Sequence, residues 1–390
     1  MSEEFIYLDH AAATPMHKQV IRSMEPYFSE FFYNPSALYA PAVQVKQDYS
    51  LAKKKIAIML GAKIGEITIT AGATESINLA FFNFAMFNGE GHVVVSSIEH
   101  HAVLETAKLY ENTIVPVNKK GIIEVEALKN AITDKTTLVS VAMANNELGT
   151  LQPIKKIAEL ISEIRTDRLN RQVNRPIYFH TDASQSASQL DVSVSRLNVD
   201  LMTLNAGKMY GPKQVGLLWV KSGLILKPQI VGGGQEKGLR SGTENVAGVI
   251  GFARALEIAD EKRKSEVKRL EKLRNFMQSK LQEEFSEAIF SGDDKKRLAS
   301  YLHVSFPGLD GERLVFRLEN KGVLVATGSA CAANYNRRSH VLEAIGLTAE
   351  EADGSLRITL GALSTEENTT KATKIIIQEV KQEYTRISRK

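Results

Sequence analysis

The chain has 390 residues, of which 43% are hydrophobic and 24% are charged, a composition typical of a globular protein with more than one hydrophobic core. Its 49 Lys and Arg residues nearly balance 45 Asp and Glu residues, so a net charge of +4 gives no reason to expect a nucleic-acid surface. A single cysteine excludes an intrachain disulfide, and neither a signal peptide nor a membrane-length apolar run is present, so we expect a cytoplasmic protein that binds no membrane.

Short β-branched runs alternate with helical patterns between about residues 65 and 220. The runs predict strands at EITIT, HVVVSS, TLVSVAM, IYFHTD, DLMTLN and GLLWV, and helical patterns such as ATESINLAFFNFAMF and PIKKIAELISEIR lie between them. This alternation predicts an α/β fold with a mostly parallel sheet. Ligands of such sheets bind at the carboxyl ends of the strands, so the residues that follow each strand are candidate site residues.

The second half of the chain has a different pattern. A long amphipathic helix is predicted from Thr243, with apolar residues at spacings of three and four: Val267, Leu270, Leu273, Met277 and Leu281. Strand candidates YLHVSF and SLRITL and helix candidates GERLVFRLEN and SHVLEAIG follow, which predicts a smaller α+β domain. We therefore divide the chain into a large domain, residues 16–254, and a small domain formed by residues 1–15 and 255–390.

Two strand ends carry residues suited to a phosphate and to a flat ring. Gly72, Ala73 and Thr74 open a helix after EITIT, where backbone N–H groups can approach a phosphate. A tight turn with Thr74 as the N-cap is the alternative. His100 follows HVVVSS and could stack on a ring or transfer protons, or it could be an ordinary surface histidine.

Two further strand ends carry a carboxylate and a lysine. Asp182 ends IYFHTD and Gln185 follows it, so the pair could bond a protonated ring nitrogen and a phenolic oxygen, or Asp182 could simply cap a turn. Lys208 follows DLMTLN, beside Asn205 and Gly207, and a lysine amine can form a Schiff base with a carbonyl cofactor. The order of phosphate turn, His, Asp and Lys predicts a pyridoxal phosphate site.

The single cysteine, Cys331, lies in the sequence VATGSACAANYN. The small and polar residues around it have neither strand nor helix periodicity, which predicts a loop. A free cysteine is more often a small buried hydrophobic residue, so both an exposed and a buried thiol remain open on this observation.

Together these motifs resemble those of the cysteine desulfurases of the class V aminotransferase type, in the group with the longer cysteine loop. The resemblance runs along nearly the whole chain, through YLDHAAATP, YNPSALY, AGATESINLAF, EHHAVL, ANNELGTLQPI, HTDASQSAS, AGKMYGPKQVG, GGGQEKGLRSGTEN, GSACAAN and LRITLGALSTEEN. It implies a class V aminotransferase-like fold (fold type I), with the large α/β domain and the smaller α+β domain described above.

The resemblance also implies that the chain binds pyridoxal 5′-phosphate. The family's cofactor residues correspond to Ala73, Thr74, His100, Asn146, Asp182, Gln185, Asn205, Lys208 and Thr243. Lys208 would carry the Schiff base, Asp182 would pair with the ring nitrogen, and His100 would stack on the ring. Gln185 would bond the ring hydroxyl. Thr243 would reach the phosphate from the partner subunit, which implies a homodimer with shared sites. No metal ligand is implied.

The substrate residues follow from the same resemblance. Arg357 in LRITLG would hold the α-carboxylate of L-cysteine, with Asn146 assisting, unless it is a strand-end surface charge. Cys331 would attack the substrate sulfur and take it as a persulfide while L-alanine is released, with His100 as the base. A protein acceptor would receive the sulfur, for iron–sulfur cluster assembly, tRNA thiolation or cofactor synthesis.

Two positions depart from the family pattern. The family usually has a serine and a histidine that serve the cofactor phosphate just before the lysine, and this chain has Asn205 and Gly207. We therefore expect it to release the cofactor more readily. The sequence also ends at Lys390, and we expect the extended tail that some relatives use to contact a scaffold protein to be lacking. The alternative functions are a selenocysteine lyase, an aminotransferase in which Cys331 is incidental, and a non-enzymatic sulfur-system component.

Overall fold

The computed structural model describes residues 5–328 and 338–388, so Cys331 lies outside the described residues. Each strand predicted from the sequence is present. The strands are, in chain order, β1 (Ile6–Tyr7), β2 (Ile67–Thr70), β3 (His92–Ser96), β4 (Glu111–Val115), β5 (Thr136–Ser140), β6 (Tyr178–Asp182), β7 (Leu201–Asn205), β8 (Gly216–Val220), β9 (Ile289–Ser291), β10 (Tyr301–Ser305), β11 (Val323–Leu324) and β12 (Ser355–Thr359).

The helices alternate with the strands through the first half of the chain and become longer in the second half. They are α1 (Lys18–Met24), α2 (Pro26–Ser29), α3 (Ala40–Leu60), α4 (Ala73–Phe84), α5 (His101–Ala107), α6 (Val125–Ala131), α7 (Ile154–Asn170), α8 (Val194–Leu197), α9 (Val246–Glu284), α10 (Gly311–Glu319), α11 (His340–Ala344), α12 (Ala349–Asp353) and α13 (Glu366–Ile387).

The central sheet has seven strands in the order β2-β8-β7-β6-β5-β3-β4. Strands β3 to β7 pair in parallel, whereas β8 pairs antiparallel with both β2 and β7. The prediction of an α/β fold with a mostly parallel sheet is therefore confirmed. A separate antiparallel sheet has the order β12-β10-β9, and β1 pairs with β11.

Apolar side chains cover both faces of the central sheet. On β3, Val94 packs in one core cluster while Val93 and Val95 pack in another, because successive side chains of a strand point to opposite faces. A further cluster lies against the small antiparallel sheet and includes Leu8 from the N-terminal segment. Among the described residues, the three largest apolar clusters thus lie two against the central sheet and one against the small sheet.

Helix α9 runs from the central sheet to the small sheet. It begins at Val246 rather than at the predicted Thr243, because the Asn245 side chain caps it by accepting the Gly248 N–H at 2.9 Å. Its first part, as far as Ile258, packs in the core of the central sheet, and its last part, from Leu270, packs in the core of the small sheet. The proposed boundary at residues 254 and 255 falls inside this helix, and the domain division stays a prediction.

The stretch of α9 between Ile258 and Leu270 has no fully buried apolar side chain, although Val267 is partly buried against the small-sheet core. Ion pairs at a spacing of three residues lie along and beside it instead, between Arg254 and Glu257, Asp260 and Arg263, and Glu266 and Arg269. Across residues 5–328 and 338–388, no helix is both long and apolar enough to cross a membrane.

We predict that the far end of α9 stabilises the small-sheet core through Met277, which is 0% exposed. Met277→Ala should lower the free energy of unfolding by about 2–5 kcal/mol, because it leaves a cavity in a packed core. The adjacent Phe276 is 37% exposed and provides a control, since Phe276→Ala should change the value by less than about 1 kcal/mol. Urea denaturation followed by circular dichroism measures both, and equal losses would contradict the prediction.

Candidate active site

Three predicted site residues meet at the carboxyl edge of the central sheet. Asp182 is the last residue of β6, Lys208 ends a short 3₁₀ turn (Ala206–Lys208) after β7, and His100 precedes α5. The charge of Asp182 raises the pKa of His100 and the charge of Lys208 lowers it, while burial lowers this pKa most. The carboxylate, the amine and the imidazole are therefore electrostatic neighbours.

The tautomer of His100 follows from the hydrogen bond that its ring makes. Its Nδ1 accepts the backbone N–H of Ala102 at 3.1 Å, which caps α5. Because the lowered pKa favours the neutral ring, the ring proton lies on Nε2. Nδ1 can accept a proton as a base only after it leaves Ala102, whereas Nε2–H is ready to donate.

The amine of Lys208 is held by a turn near the N-terminus of the chain, residues 9–13. Nζ donates to the backbone oxygens of Ala11 and Ala12 at 2.8 and 2.7 Å. Gln185 Nε2 donates to the same Ala11 oxygen at 3.1 Å, and Gln185 Oε1 accepts from Tyr301 Oη at 2.8 Å. The turn thus fixes the lysine and the glutamine that the sequence placed in the site.

Arg357 lies inside β12 and is 2% exposed, so it is not a strand-end surface charge. Its Nη2 pairs with Asp9 Oδ1 at 2.7 Å, and its Nη1 donates to the backbone oxygen of Asn146 at 3.2 Å. Its Nε is buried without a hydrogen-bond partner among the described residues. The structure therefore brings Arg357 and Asn146 together, through the main chain of Asn146.

The proposed phosphate turn joins β2 to α4. Gly72 stands at the N-cap with φ 140°, so Thr74 is not the N-cap, and Ala73 is the first helical residue. A Cβ at Gly72 would meet no atom within 4 Å, which shows open space in front of the turn. The first N–H groups of a helix have no partner within the helix and favour an anion there.

A cavity of about 190 Å³ borders this turn. Thr70 and Ala71 line it from the β2 side, and Gly242 and Glu244 line it from the loop before α9. Thr243 lies between these loop residues and is exposed to solvent. In this chain, Thr243 is thus on the surface, as a residue serving a neighbouring subunit would be.

Asn205 and Gly207 occupy the positions that depart from the family pattern. Asn205 Oδ1 accepts the Gly207 N–H at 3.0 Å, which leaves the amide nitrogen of Asn205 to serve as a donor. A Cβ at Gly207 would lie 3.4 Å from Asn205 Oδ1 and 3.6 Å from Lys213, which are ordinary contacts. The backbone therefore does not require glycine at position 207.

Sequence reasoning missed three acidic residues around the site, of which Glu99 and Glu147 are buried and Asp9 is partly buried. Asp9 pairs with Arg357, and its motif YLDHAAATP was recognised without a role for any of its residues. Glu99 adjoins His100, and burial raises its pKa to about 8. Glu147 follows Asn146 and is fully buried. The sequence signal for these three residues was their place in the family motifs YLDHAAATP, EHHAVL and ANNELGTLQPI.

The residues present fit pyridoxal 5′-phosphate. An amine, a carboxylate and an imidazole converge at one sheet edge, an open helix N-terminus follows β2, which is separated from β7 by β8 alone, and a buried guanidinium has an Nε without a partner among the described residues. This combination matches the donor and acceptor groups of a phosphorylated pyridine ring with an amino-acid substrate.

Comparison with known proteins identifies the fold and the family. The family model Aminotransferase class-V matches residues 6–371. A cysteine desulfurase IscS from Clostridium botulinum is 40% identical over 97% of this chain and 94% of its own length, and cysteine desulfurase IscS 1 from Archaeoglobus fulgidus is 40% identical over 93% of each. A solved NifS-like protein superposes with a TM-score of 0.87 at 33% identity, covering 96% of this chain and 98% of that chain.

These matches define a class-V aminotransferase, a family whose members use pyridoxal phosphate. Within it, the chain belongs to the cysteine desulfurases. A further solved structure, described as SspA in complex with cysteine, superposes with a TM-score of 0.76 at 35% identity, over 91% of this chain and 98% of that chain. The fold class and the resemblance inferred from the sequence are confirmed.

We predict that Asp9 stabilises the fold by neutralising Arg357. Asp9→Ala should lower the free energy of unfolding by about 3 kcal/mol, because it leaves a buried guanidinium without its carboxylate. The exposed pair of Arg338 and Asp353 provides the control, since Asp353→Ala should cost less than about 1 kcal/mol. Urea denaturation of the chain without added cofactor measures both. Equal effects of the two substitutions would contradict the prediction.

Proposed function

We propose that the chain uses pyridoxal 5′-phosphate to remove sulfur from L-cysteine, giving L-alanine and a persulfide on Cys331. The observation that carries this proposal is the convergence of Lys208, Asp182 and His100 at one sheet edge. The names of the curated relatives and the solved structure with cysteine support the choice of substrate.

The cofactor, when bound, withdraws electrons from the bonds of the attached amino acid. In our proposal, Lys208 Nζ is the amine that holds it covalently, and the carboxylate of Asp182 keeps its ring nitrogen protonated. Gln185 holds its ring hydroxyl, and the N-terminal turn of α4 at Ala73 and Thr74 receives its phosphate. Asn205 supplies a further donor through its amide nitrogen.

Arg357 is proposed to bind the substrate α-carboxylate with Asn146. The guanidinium is buried, so the surrounding low dielectric strengthens its attraction for a carboxylate. Nη2 of Arg357 donates one N–H to Asp9, and Nη1 donates one N–H to the Asn146 oxygen. In our proposal, the remaining N–H groups of the guanidinium donate to the substrate carboxylate. This arrangement selects amino acids over simple amines.

Cys331 is proposed to attack the substrate sulfur as a thiolate. An S–S bond forms as the substrate Cβ–S bond breaks, the electron pair of that bond stays with carbon, and a proton completes L-alanine. His100 is suited to deliver a proton from Nε2, and its role as a base requires release of Nδ1 from Ala102. The persulfide would then pass to a protein acceptor, in iron–sulfur assembly or tRNA thiolation.

We further propose a homodimer in which Thr243 reaches the partner's phosphate site. Large apolar side chains exposed on this chain support a subunit interface: Phe28, Phe32, Leu38, Ile225 and Val231. Sedimentation equilibrium tests the dimer.

The test of the function is a product analysis. The purified chain loaded with pyridoxal phosphate should convert L-cysteine to equal amounts of L-alanine and sulfide in the presence of a thiol reductant. Formation of a keto acid would instead indicate an aminotransferase. A strong preference for selenocysteine would indicate a lyase, and the absence of bound cofactor and turnover would favour the non-enzymatic component.

We predict that Cys331→Ser separates cofactor chemistry from sulfur transfer. The variant should bind pyridoxal phosphate and L-cysteine with unchanged affinity, because neither contact depends on the thiol. It should form no persulfide, since a hydroxyl is a far weaker nucleophile at neutral pH. Absorption spectra measure binding and persulfide trapping measures transfer. Normal alanine production would show that Cys331 is not the nucleophile, and Lys208→Ala, which should lose reductively trapped cofactor, is the control for binding.

We predict that Gly207→His tightens the hold on the cofactor. A charge-assisted hydrogen bond to a phosphate contributes about 1.5–3 kcal/mol, so the dissociation constant should fall about tenfold or more. Gly207→Ala adds only the Cβ, for which the structure has room, and should leave the dissociation constant unchanged. The measurement is the loss of cofactor on dialysis from the parent, from Gly207→His and from Gly207→Ala. Full retention by the parent, with no effect of histidine, would show that another contact replaces the missing one.

A further inference from the structure

Glu75 places a carboxylate in the first turn of α4, the turn proposed to receive the cofactor phosphate. It directly follows Thr74 in the sequence, and its Oε2 accepts the backbone N–H of Ala71 at 2.8 Å. An acidic side chain at this place is favourable on its own, because the N-terminus of a helix attracts negative charge. The same charge repels a phosphate that binds at the turn.

Arg240 pairs with this carboxylate. Its Nε donates to Glu75 Oε1 at 3.0 Å, and its Nη2 donates to Glu75 Oε2 at 3.4 Å. The side chains of Arg240 and Glu75 are 27% and 19% exposed, so solvent screens the pair only in part. Arg240 also lines, together with Ala71, the cavity of about 190 Å³ that borders the turn. A positive charge thus neutralises Glu75 beside the proposed phosphate site.

The loop that carries Arg240 is anchored by a separate contact. Glu236, whose side chain is 5% exposed, accepts from Lys53 Nζ at 2.7 Å and from the backbone N–H of Ile69 at 2.9 Å. The hydroxyl of Tyr49 donates to its other oxygen. Glu236 has a φ of 49°, a costly conformation for a residue other than glycine that persists only where surrounding contacts hold it. These contacts position the loop independently of the pair described above.

We propose that Arg240 is a positioning residue that lets the first turn of α4 accept a phosphate, because it neutralises Glu75. This inference rests on the proposed function, which places the cofactor phosphate at Ala73 and Thr74. With the ion pair formed, the N–H groups of the turn and the helix dipole attract the phosphate. Without Arg240, an uncompensated carboxylate lies in the same turn and opposes it. The ion pair therefore governs affinity for the phosphate group and not for the pyridine ring.

Two aldehydes that differ only in the phosphate test this role without turnover. The full-length, cofactor-free chain is titrated with pyridoxal 5′-phosphate and with pyridoxal, and absorption gives both dissociation constants. Arg240→Gln should weaken binding of the phosphorylated aldehyde about tenfold, because two negative charges then adjoin, and should change pyridoxal binding less than about twofold. Arg240→Lys keeps the positive charge and should stay within about threefold of the parent for both aldehydes.

Removal of both charges should restore the affinity. The double variant Glu75→Gln with Arg240→Gln has no carboxylate to neutralise, so it should bind pyridoxal 5′-phosphate within about threefold of the parent. Glu75→Gln alone should bind it at least as tightly as the parent. If the double variant stays as weak as Arg240→Gln, then Arg240 acts on the phosphate directly rather than through Glu75, and the proposal is wrong.

Arg171 provides a matched control at the opposite edge of the central sheet. It donates to both oxygens of Asp134 at 2.9 and 2.7 Å, and Asp134 precedes β5, at the amino end of that strand. Arg171→Gln should leave the dissociation constants of both aldehydes unchanged. Neither Arg171→Gln nor Arg240→Gln should shift the midpoint of urea unfolding of the cofactor-free chain, because ion pairs in contact with solvent contribute little to stability.

Three other results would overturn the proposal. They are parent-like binding of pyridoxal 5′-phosphate by Arg240→Gln, an equal loss of affinity for pyridoxal, and weaker binding of the phosphorylated aldehyde by Glu75→Gln. If Arg240→Gln does not fold, Arg240→Lys and Glu75→Gln still decide the matter. A parent chain that binds neither aldehyde would refute the proposed function itself. A parent that binds both aldehydes equally well would refute only the role of the α4 turn and of Arg240.

Discussion

The buried charge of Arg357 is the constraint that organises the site. A guanidinium that is 2% exposed is costly unless a carboxylate and further acceptors surround it. The structure supplies Asp9 from the N-terminal turn and the Asn146 oxygen from the end of the central sheet. Three distant parts of the chain must therefore meet at one side chain before the site exists.

The same N-terminal turn also positions the amine. The oxygens of Ala11 and Ala12 accept from Lys208 Nζ, and Ala11 accepts from Gln185 as well. The proposed cofactor residue and the proposed substrate residue thus share one support of five residues, 9–13.

The sequence predicted the parts of the site that depend on local pattern. The β-branched runs placed Asp182 and Lys208 directly after strands, and the carboxyl ends of β6 and β7 meet because these strands pair in parallel. The sequence did not predict Asp9 as the partner of Arg357, because 348 positions separate them and no local periodicity reports such a contact. Nor did it predict the burial of Arg357, since an arginine in SLRITL reads equally well as the solvent face of a strand.

Smaller differences have equally physical causes. Thr74 is a good capping residue by type, but Gly72 adopts a positive φ that places the helix start before it. The family resemblance implies that His100 is the base, whereas its Nδ1 accepts the backbone N–H of Ala102 in this structure. The roles of Ala73, Thr74, Thr243 and Cys331 depend on a bound cofactor, a second subunit or residues outside the described structure, and they stay predictions.

A single long helix, α9, connects the central sheet to the small sheet. With 39 residues it is about 58 Å long, and it enters a packed core at each end but none in between. Its middle stretch carries ion pairs such as Asp260 with Arg263 and Glu266 with Arg269, whose attraction falls as ionic strength rises. Dissolved salt therefore weakens the side-chain contacts along the middle of this helix, while the apolar packing at its two ends does not depend on charge.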